Sequence, residues 1–371
     1  MRTLFFLLLF SFNLELFHGY STIEYEEHSL SSDECCKTSN LPALYVFGDS
    51  LIECGNNKHL PKAGRVDFLP YGIDFNRIPT GRVTNGKTVV DFIALKLGLP
   101  FAPAYLTLLE FQRRKISTGI SYASAGSGIL PDIGGARVGA CLSFDDQMDL
   151  FQSTVENDLS KQFKQQRELN EHLSNSLFFI SFGVNDYSNY VKHLNDTKCH
   201  RSPEDFAEFL LNKFGTRLKR LYNLGARKFL VNNVAAIGCI PGFIKRWKYQ
   251  FGNCVDSVNH IVNLYNERLP GYLQNLQSQY PETTFMHMEF FKFFLDININ
   301  PQKYGITNTT NACCVLGEDL GCIPNEAPCE DRDKHLYFDI NHPSQVANYL
   351  FVKQYLSDSM ICKLSNVTGL W

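Results

Sequence analysis

The sequence predicts an α/β domain built on a parallel sheet, and three observations carry that reading. Five short apolar runs, at residues 43–47, 119–124, 177–182, 228–234 and 284–288, have the length and composition of buried strands. Longer segments with helical spacing lie between them, as parallel neighbours require, because each return to the sheet needs a crossover. Polar groups follow three of the runs directly: Ser50, Gly126 and Asn185. Open parallel sheets hold their ligands at that carboxyl edge.

Taken in order, residues 1–21 read as a secretory signal peptide. Arg2 supplies the positive start, Leu4 to Phe12 a short apolar stretch, and Gly19 or Ser21 a small residue near the cut. The stretch falls well short of the roughly 20 residues that span a bilayer, and no stable membrane span is expected. Residues 22–40 form a polar, Ser-rich leader with the pair Cys35-Cys36. The domain occupies residues 41–357, and 358–371 form a C-terminal tail. Helices are expected at 89–97, 143–173, 203–224 and 254–280, the last kinked or broken at Pro270. The third has a capping serine, Ser202, then Pro203 at the first helical position and Glu204 and Asp205 near the positive helix end. Pro343 is expected to open a final helix over 343–356.

Across its 371 residues the chain carries 35 Lys and Arg against 38 Asp and Glu, a net charge of -3. That balance provides no footprint for a phosphate backbone, so nucleic acid is excluded as a partner. The basic clusters Arg113-Arg114-Lys115 and Lys245-Arg246-Trp247-Lys248 read as solvated faces. Twelve cysteines fit an oxidising compartment, and disulfides are expected. Cys313, Cys314, Cys322 and Cys329 with His335 nearby have zinc-ligand chemistry but lack paired knuckles, so disulfides are preferred there too. Asn195, Asn308 and Asn366 each open a glycosylation sequon. Together these features predict a secreted glycoprotein.

A serine after a strand becomes a nucleophile only when a base takes its proton and a third group orients that base. Asp339-Ile340-Asn341-His342 supplies the pair. On a turn, a spacing of three lets the carboxylate reach Nδ1 of His342 and leaves Nε2 free to face Ser50. Acyl transfer also needs donors for the negative oxygen of the tetrahedral intermediate. The backbone N–H groups of Ser50 and Gly126 and the side-chain amide of Asn185 fit that need, with Gly128 a competitor for the place of Gly126.

The blocks Phe47-Gly48-Asp49-Ser50-Leu51, Tyr122-Ala123-Ser124-Ala125-Gly126, Gly183-Val184-Asn185-Asp186 and Asp339-Ile340-Asn341-His342-Pro343 occur in this order. With the connecting text from Pro70, Gly225 and Asn311, the chain resembles the plant-type GDSL esterase/lipase branch of the SGNH hydrolases over residues 41–357. Glu53 and Cys54 depart from that pattern, as does Ser121 before Tyr122. The resemblance implies a flavodoxin-like domain with a central five-stranded parallel sheet. It also implies Ser50 as nucleophile, His342 as base, Asp339 as its orienter, and Gly126 and Asn185 as oxyanion donors. A G-x-S-x-G elbow is absent, since Leu51 and Ile52 follow Ser50. The expected activity is hydrolysis of a carboxylic ester of a lipid, acylated glycan or other small molecule through an acyl-enzyme, with no metal or organic cofactor. The alternative is an acyltransferase that hands the same acyl group to an alcohol. A non-catalytic lipid or glycan binder is a third reading, against which the complete Ser50, Asp339 and His342 set argues.

Overall fold

The computed structural model describes residues 41–131, 140–194, 201–247, 254–318 and 320–366. The signal peptide, the leader and the Asn195 sequon lie outside them. Four strands pair in parallel in the order β1 (Leu44–Gly48), β2 (Leu177–Ser181), β3 (Lys228–Asn232) and β4 (Thr284–Met288). The first three are buried along their whole length, which is why they read as continuous runs without alternation.

Among the described residues the sheet has four strands, not five. The segment 119–124 does run along the free edge of β1: the N–H groups of Leu44 and Val46 donate to Thr118 and Ile120, and those of Tyr122 and Ser124 donate to Val46 and Gly48. Its pairing nevertheless reduces to isolated bridges at Ser121, to Val46 on one side and Ala104 on the other. Gly119 enters the edge at φ +109°, so close that a Cβ there would lie 2.0 Å from the Leu44 carbonyl oxygen. The chain then turns away between Ser124 and Ser127. Extended geometry does not last long enough to make a strand. The segment still flanks β1 opposite β2, which makes the carboxyl end of β1 the point where the connections diverge and a crevice opens.

The helices are α1 (Val89–Leu97), α2 (Phe144–Ser153), α3 (Gln166–Asn175), α4 (Val184–Lys192), α5 (Pro203–Asn223), α6 (Asp256–Gln279), α7 (Phe290–Ile299) and α8 (Gln345–Tyr355), with shorter turns between. The expected helix over 143–173 widens into a π turn at Thr154–Leu159, returns to α-helix over Ser160–Gln162, breaks at the extended Phe163 and starts again at Gln166. Pro270 does not break α6. Ser202 caps α5 as expected, its hydroxyl accepting the Asp205 N–H at 3.1 Å. Pro343 does not open α8; it precedes the cap, Ser344, whose hydroxyl accepts the Ala347 N–H. Beyond residue 357 a helix, Asp358–Asn366, buries Ile361 and Leu364.

The core forms against the sheet. Phe47 from β1 stacks on Tyr122 at 5.1 Å between ring centres and meets Phe151 from α2 edge-on at 5.6 Å. A second, smaller cluster gathers Tyr71, Val83, Phe338 and the half-cystines Cys313, Cys314 and Cys322. Disulfides join Cys313 to Cys329, Cys314 to Cys322 and Cys239 to Cys254. The four cysteines considered for zinc are therefore tied to one another. Beside this cluster β5 (Asn308–Ala312) pairs with β6 (His335–Tyr337), and the chain leaving β6 carries Asp339 and His342. Asn308, the second sequon, is partly exposed at the start of β5, and Asn366 ends the last helix.

Candidate active site

β1 ends at Gly48, where a side chain would not fit: a Cβ would stand 2.6 Å from the Ser181 carbonyl oxygen. Gln147 of α2 closes this end by accepting the Gly48 N–H at 3.0 Å and donating to its carbonyl at 2.9 Å. Asp49 is fully buried, and its Oδ1 accepts the Leu51 N–H at 3.0 Å. This side-chain turn leaves Ser50, between them, facing the crevice. Burial pushes the Asp49 carboxyl up to about 7, against the lowering effects of the Leu51 N–H and of His342.

The following residues hold the wall beside the serine. Glu53 folds back so that its Oε1 accepts the N–H groups of Gly55, Asn56 and Asn57. Asn57 in turn accepts the Ser124 hydroxyl at 2.6 Å and the Ala125 N–H at 3.0 Å, and donates to the Ala125 carbonyl at 2.9 Å. The first block thereby fixes the second, and Glu53 has a definite structural task. Gly126 follows at φ +92°, a left-handed conformation that favours glycine. Among the described residues neither the Ser50 nor the Gly126 N–H has a hydrogen-bond acceptor.

After β2, Gly183 turns at φ +115° into α4, so close to Val234 that a Cβ would lie 2.5 Å from its Cγ2. Asn185 comes next on the rim, where its Nδ2 donates to the Ser127 carbonyl at 2.8 Å. Its neighbour Asp186 points inward and accepts the N–H groups of Ile129 and Leu130 at 2.8 and 2.9 Å. Burial raises that carboxyl to about 6. Gly128 lies against it, with room for no Cβ: the nearest Asp186 oxygen would be 2.8 Å away. Of the two competing glycines, Gly126 lines the crevice and Gly128 serves the anchor.

The loop after β6 closes on itself. Asp339 Oδ1 accepts the N–H groups of Asn341 at 2.8 Å and His342 at 2.7 Å, and the Phe338 N–H donates to the His342 carbonyl at 2.9 Å. The imidazole is folded back by this turn, so that Nδ1 lies 2.9 Å from both Asp339 oxygens. Nε2 lies 2.9 Å from Ser50 Oγ. Burial disfavours a charged imidazole, but the Asp339 carboxylate and its hydrogen bond outweigh it, and His342 is more basic than an ordinary histidine. For Asp339, burial is likewise outweighed by His342, the Asn341 N–H and the Tyr71 hydroxyl, which hold the carboxyl below its ordinary range. Ser50, Gly126, Asn185, Asp339 and His342 all line one crevice of about 720 Å³.

All five residues singled out from the sequence therefore meet at one place. Sequence reasoning missed Tyr71, Gln147, Asn57 and Asp186. Asp186 adjoins Asn185 and Asn57 stands in the polar stretch after Ser50, so both lay within reach; nothing local distinguishes Gln147 from the other polar residues of α2.

A parallel α/β sheet with a serine just past its first strand, hydrogen-bonded to a His-Asp pair brought in by the loop after β6, defines a serine-type hydrolase. The model of the GDSL-like lipase/acylhydrolase family matches residues 44–354, and the chain belongs to that family. A GDSL esterase/lipase of Arabidopsis thaliana is 37% identical over 364 residues, which cover 95% of this chain and 93% of that protein. GDSL esterase/lipase 7 of the same plant is 37% identical over 324 residues, 86% of this chain and 88% of its own. A third Arabidopsis thaliana GDSL esterase/lipase is 38% identical over 322 residues, 84% and 83% of the two chains. The protein is a GDSL-type hydrolase.

Proposed function

We propose that this hydrolase is a secreted serine esterase that cleaves carboxylic esters of lipids, acylated glycans or other small molecules through an acyl-enzyme. The observation that carries the reading is the continuous series from Asp339 through His342 to Ser50, with both links at 2.9 Å. His342 Nε2 takes the proton of Ser50 as Oγ attacks the ester carbonyl. The imidazolium, supported by Asp339, returns that proton to the departing alcohol, and water then releases the acid by the same route. The N–H groups of Ser50 and Gly126 and the amide of Asn185 receive the oxyanion. Secretion is supported by the apolar N-terminal stretch, by the disulfides among the described residues and by the sequons at Asn195, Asn308 and Asn366. No described helix is long and apolar enough to cross a membrane.

The test is a fluorophosphonate, which labels only activated serines, together with an ester panel assayed with and without an added alcohol acceptor. Ser50 should be the labelled residue, and Ser50→Ala should fold normally yet lose labelling and nearly all turnover. Acid should be the product even when alcohol is present. Retained turnover in Ser50→Ala removes the serine from the mechanism, and transfer to the alcohol in place of acid release makes the enzyme an acyltransferase.

A further inference from the structure

We propose that Tyr71 is a positioning residue for the acid–base pair: its hydroxyl fixes the plane of the Asp339 carboxylate against His342, within a disulfide-tied cluster that holds both partners. This inference rests on the roles given above to Ser50, His342 and Asp339, and adds a fourth group to them.

The geometry separates the tasks of the two carboxylate oxygens. Oδ1 is held by its own turn, through the N–H groups of Asn341 and His342. Oδ2 takes the Tyr71 hydroxyl at 2.8 Å, from a residue 268 positions away in the chain. The imidazole does not choose between the oxygens, since Nδ1 is 2.9 Å from each. With Oδ1 fixed, the remaining freedom is rotation of the carboxylate plane, and the Tyr71 hydroxyl is the donor that restrains it. A buried carboxylate also needs its lone pairs satisfied, and a hydrogen bond to a charged group is among the stronger ones.

Tyr71 is itself held firmly. It is 3% exposed, and its ring meets Phe338 at 5.5 Å and Phe68 at 5.5 Å, both edge-on. Phe338 immediately precedes Asp339. Its carbonyl accepts the N–H groups of Cys313 at 3.0 Å and Cys314 at 2.9 Å. From the other side, the Asn325 N–H, between Cys322 and Cys329, donates to the Leu69 carbonyl at 2.7 Å, two residues before Tyr71. The same disulfide-bonded segment thus grips the tyrosine's backbone and the aspartate's. When His342 becomes imidazolium during transfer, the carboxylate is already turned to meet it, with no reorganisation left to make.

The test is Tyr71→Phe, which keeps the ring in its cluster and removes only the hydroxyl. With a small soluble ester, and rates counted per fluorophosphonate-reactive serine, kcat should fall about tenfold, the low end of what a hydrogen bond to an ion is worth, with KM unchanged. The acid limb of the kcat/KM profile should move to higher pH, because a carboxylate that has lost a donor holds the imidazolium proton more tightly. Val83→Ala loosens the same cluster but removes no hydrogen bond to the Asp339 carboxylate; it should lower Tm and leave the limb in place. A wild-type kcat in Tyr71→Phe, a limb unmoved or moved to lower pH, or an equal limb shift in Val83→Ala overturns the proposal. If wild-type protein neither labels at Ser50 nor cleaves any ester, the functional reading has failed instead.

Discussion

His342 Nε2 lies 2.9 Å from Ser50 Oγ although 292 residues separate the two. Neither residue is carried on a regular element. Ser50 stands just past β1 in a turn closed by Asp49, and His342 stands past β6 in a turn closed by Asp339. Each aspartate therefore has a backbone task in addition to its charge. The reactive pair is aligned by two small self-contained turns set on rigid strands.

The first prediction concerns pH. His342 must be neutral to accept the serine proton, and despite burial its pKa is raised above histidine's usual 6.5 by Asp339. Activity should thus be absent at acid pH and rise through an ionisation on the alkaline side of that value. Asp339→Asn removes the raising charge and leaves burial, which opposes protonation. The acid limb of kcat/KM should then move to lower pH while kcat falls by roughly 10⁴. A limb that stays in place in this variant means that another group titrates.

The two glycines after the second block should respond differently to alanine. At Gly128 a methyl group would press on a buried carboxylate that holds two backbone N–H groups, so Gly128→Ala should destabilise the fold by about 1–3 kcal/mol. At Gly126 the nearest side-chain atom to an added Cβ is 3.6 Å away, and only the left-handed backbone resists, at a cost of about 1–2 kcal/mol. Its effect should appear chiefly in kcat, as the N–H shifts away from the developing oxyanion. Denaturant midpoints beside kcat for both variants check this; equal kcat losses after correction for folded fraction would count against the separation of roles.

Disulfides, not a metal, should support the active site. Cys313 and Cys329 close a loop spanning 16 residues, worth roughly 2–4 kcal/mol of stability, and the loop packs directly on Phe338 and Tyr71. Reductant, or the pair Cys313→Ala with Cys329→Ala, should lower Tm and activity together, whereas EDTA should change neither. Loss on chelation followed by rescue with zinc contradicts this.

The alternation of apolar runs and helical segments was legible because parallel strands buried on both faces need unbroken apolar text. The exception at 119–124 follows from a conflict between levels: Ile120 and Tyr122 have strand composition, but Gly119 and the turn after Ser124 leave too few extended residues. Pro343 misled for a related reason, since a proline beside a capping serine fits either register at a helix start. Ser50, Asp339 and His342 were legible because their chemistry is carried by short local blocks. Tyr71 was not, because the carboxylate to which it donates lies 268 residues away and its own neighbourhood reads as ordinary loop.

The last prediction isolates Asn185, whose amide nitrogen is oriented by its 2.8 Å bond to the Ser127 carbonyl. In the proposed mechanism that amide has one duty, donation to the oxyanion. Losing one such donor slows turnover by roughly 10² to 10³, so Asn185→Ala should be crippled yet measurable. Asn185→Asp keeps the shape but replaces a donor with an anion when ionised. The new carboxylate would repel both the Ser127 carbonyl oxygen and the charge that develops on the substrate, in a crevice of low effective dielectric. It would also join Asp186 and Asp49, two buried acids whose charges already act on one another. The aspartate variant should therefore be slower than the alanine variant near neutral pH. Acidification protonates the new carboxyl, which can then donate, so the gap between the variants should narrow at low pH even as His342 fails as a base. The readout is kcat for a small soluble ester, with folding followed separately, so that binding losses do not pass for chemistry. An aspartate variant as fast as wild type near neutrality makes Asn185 a turn residue held by Ser127 and places the oxyanion donors elsewhere.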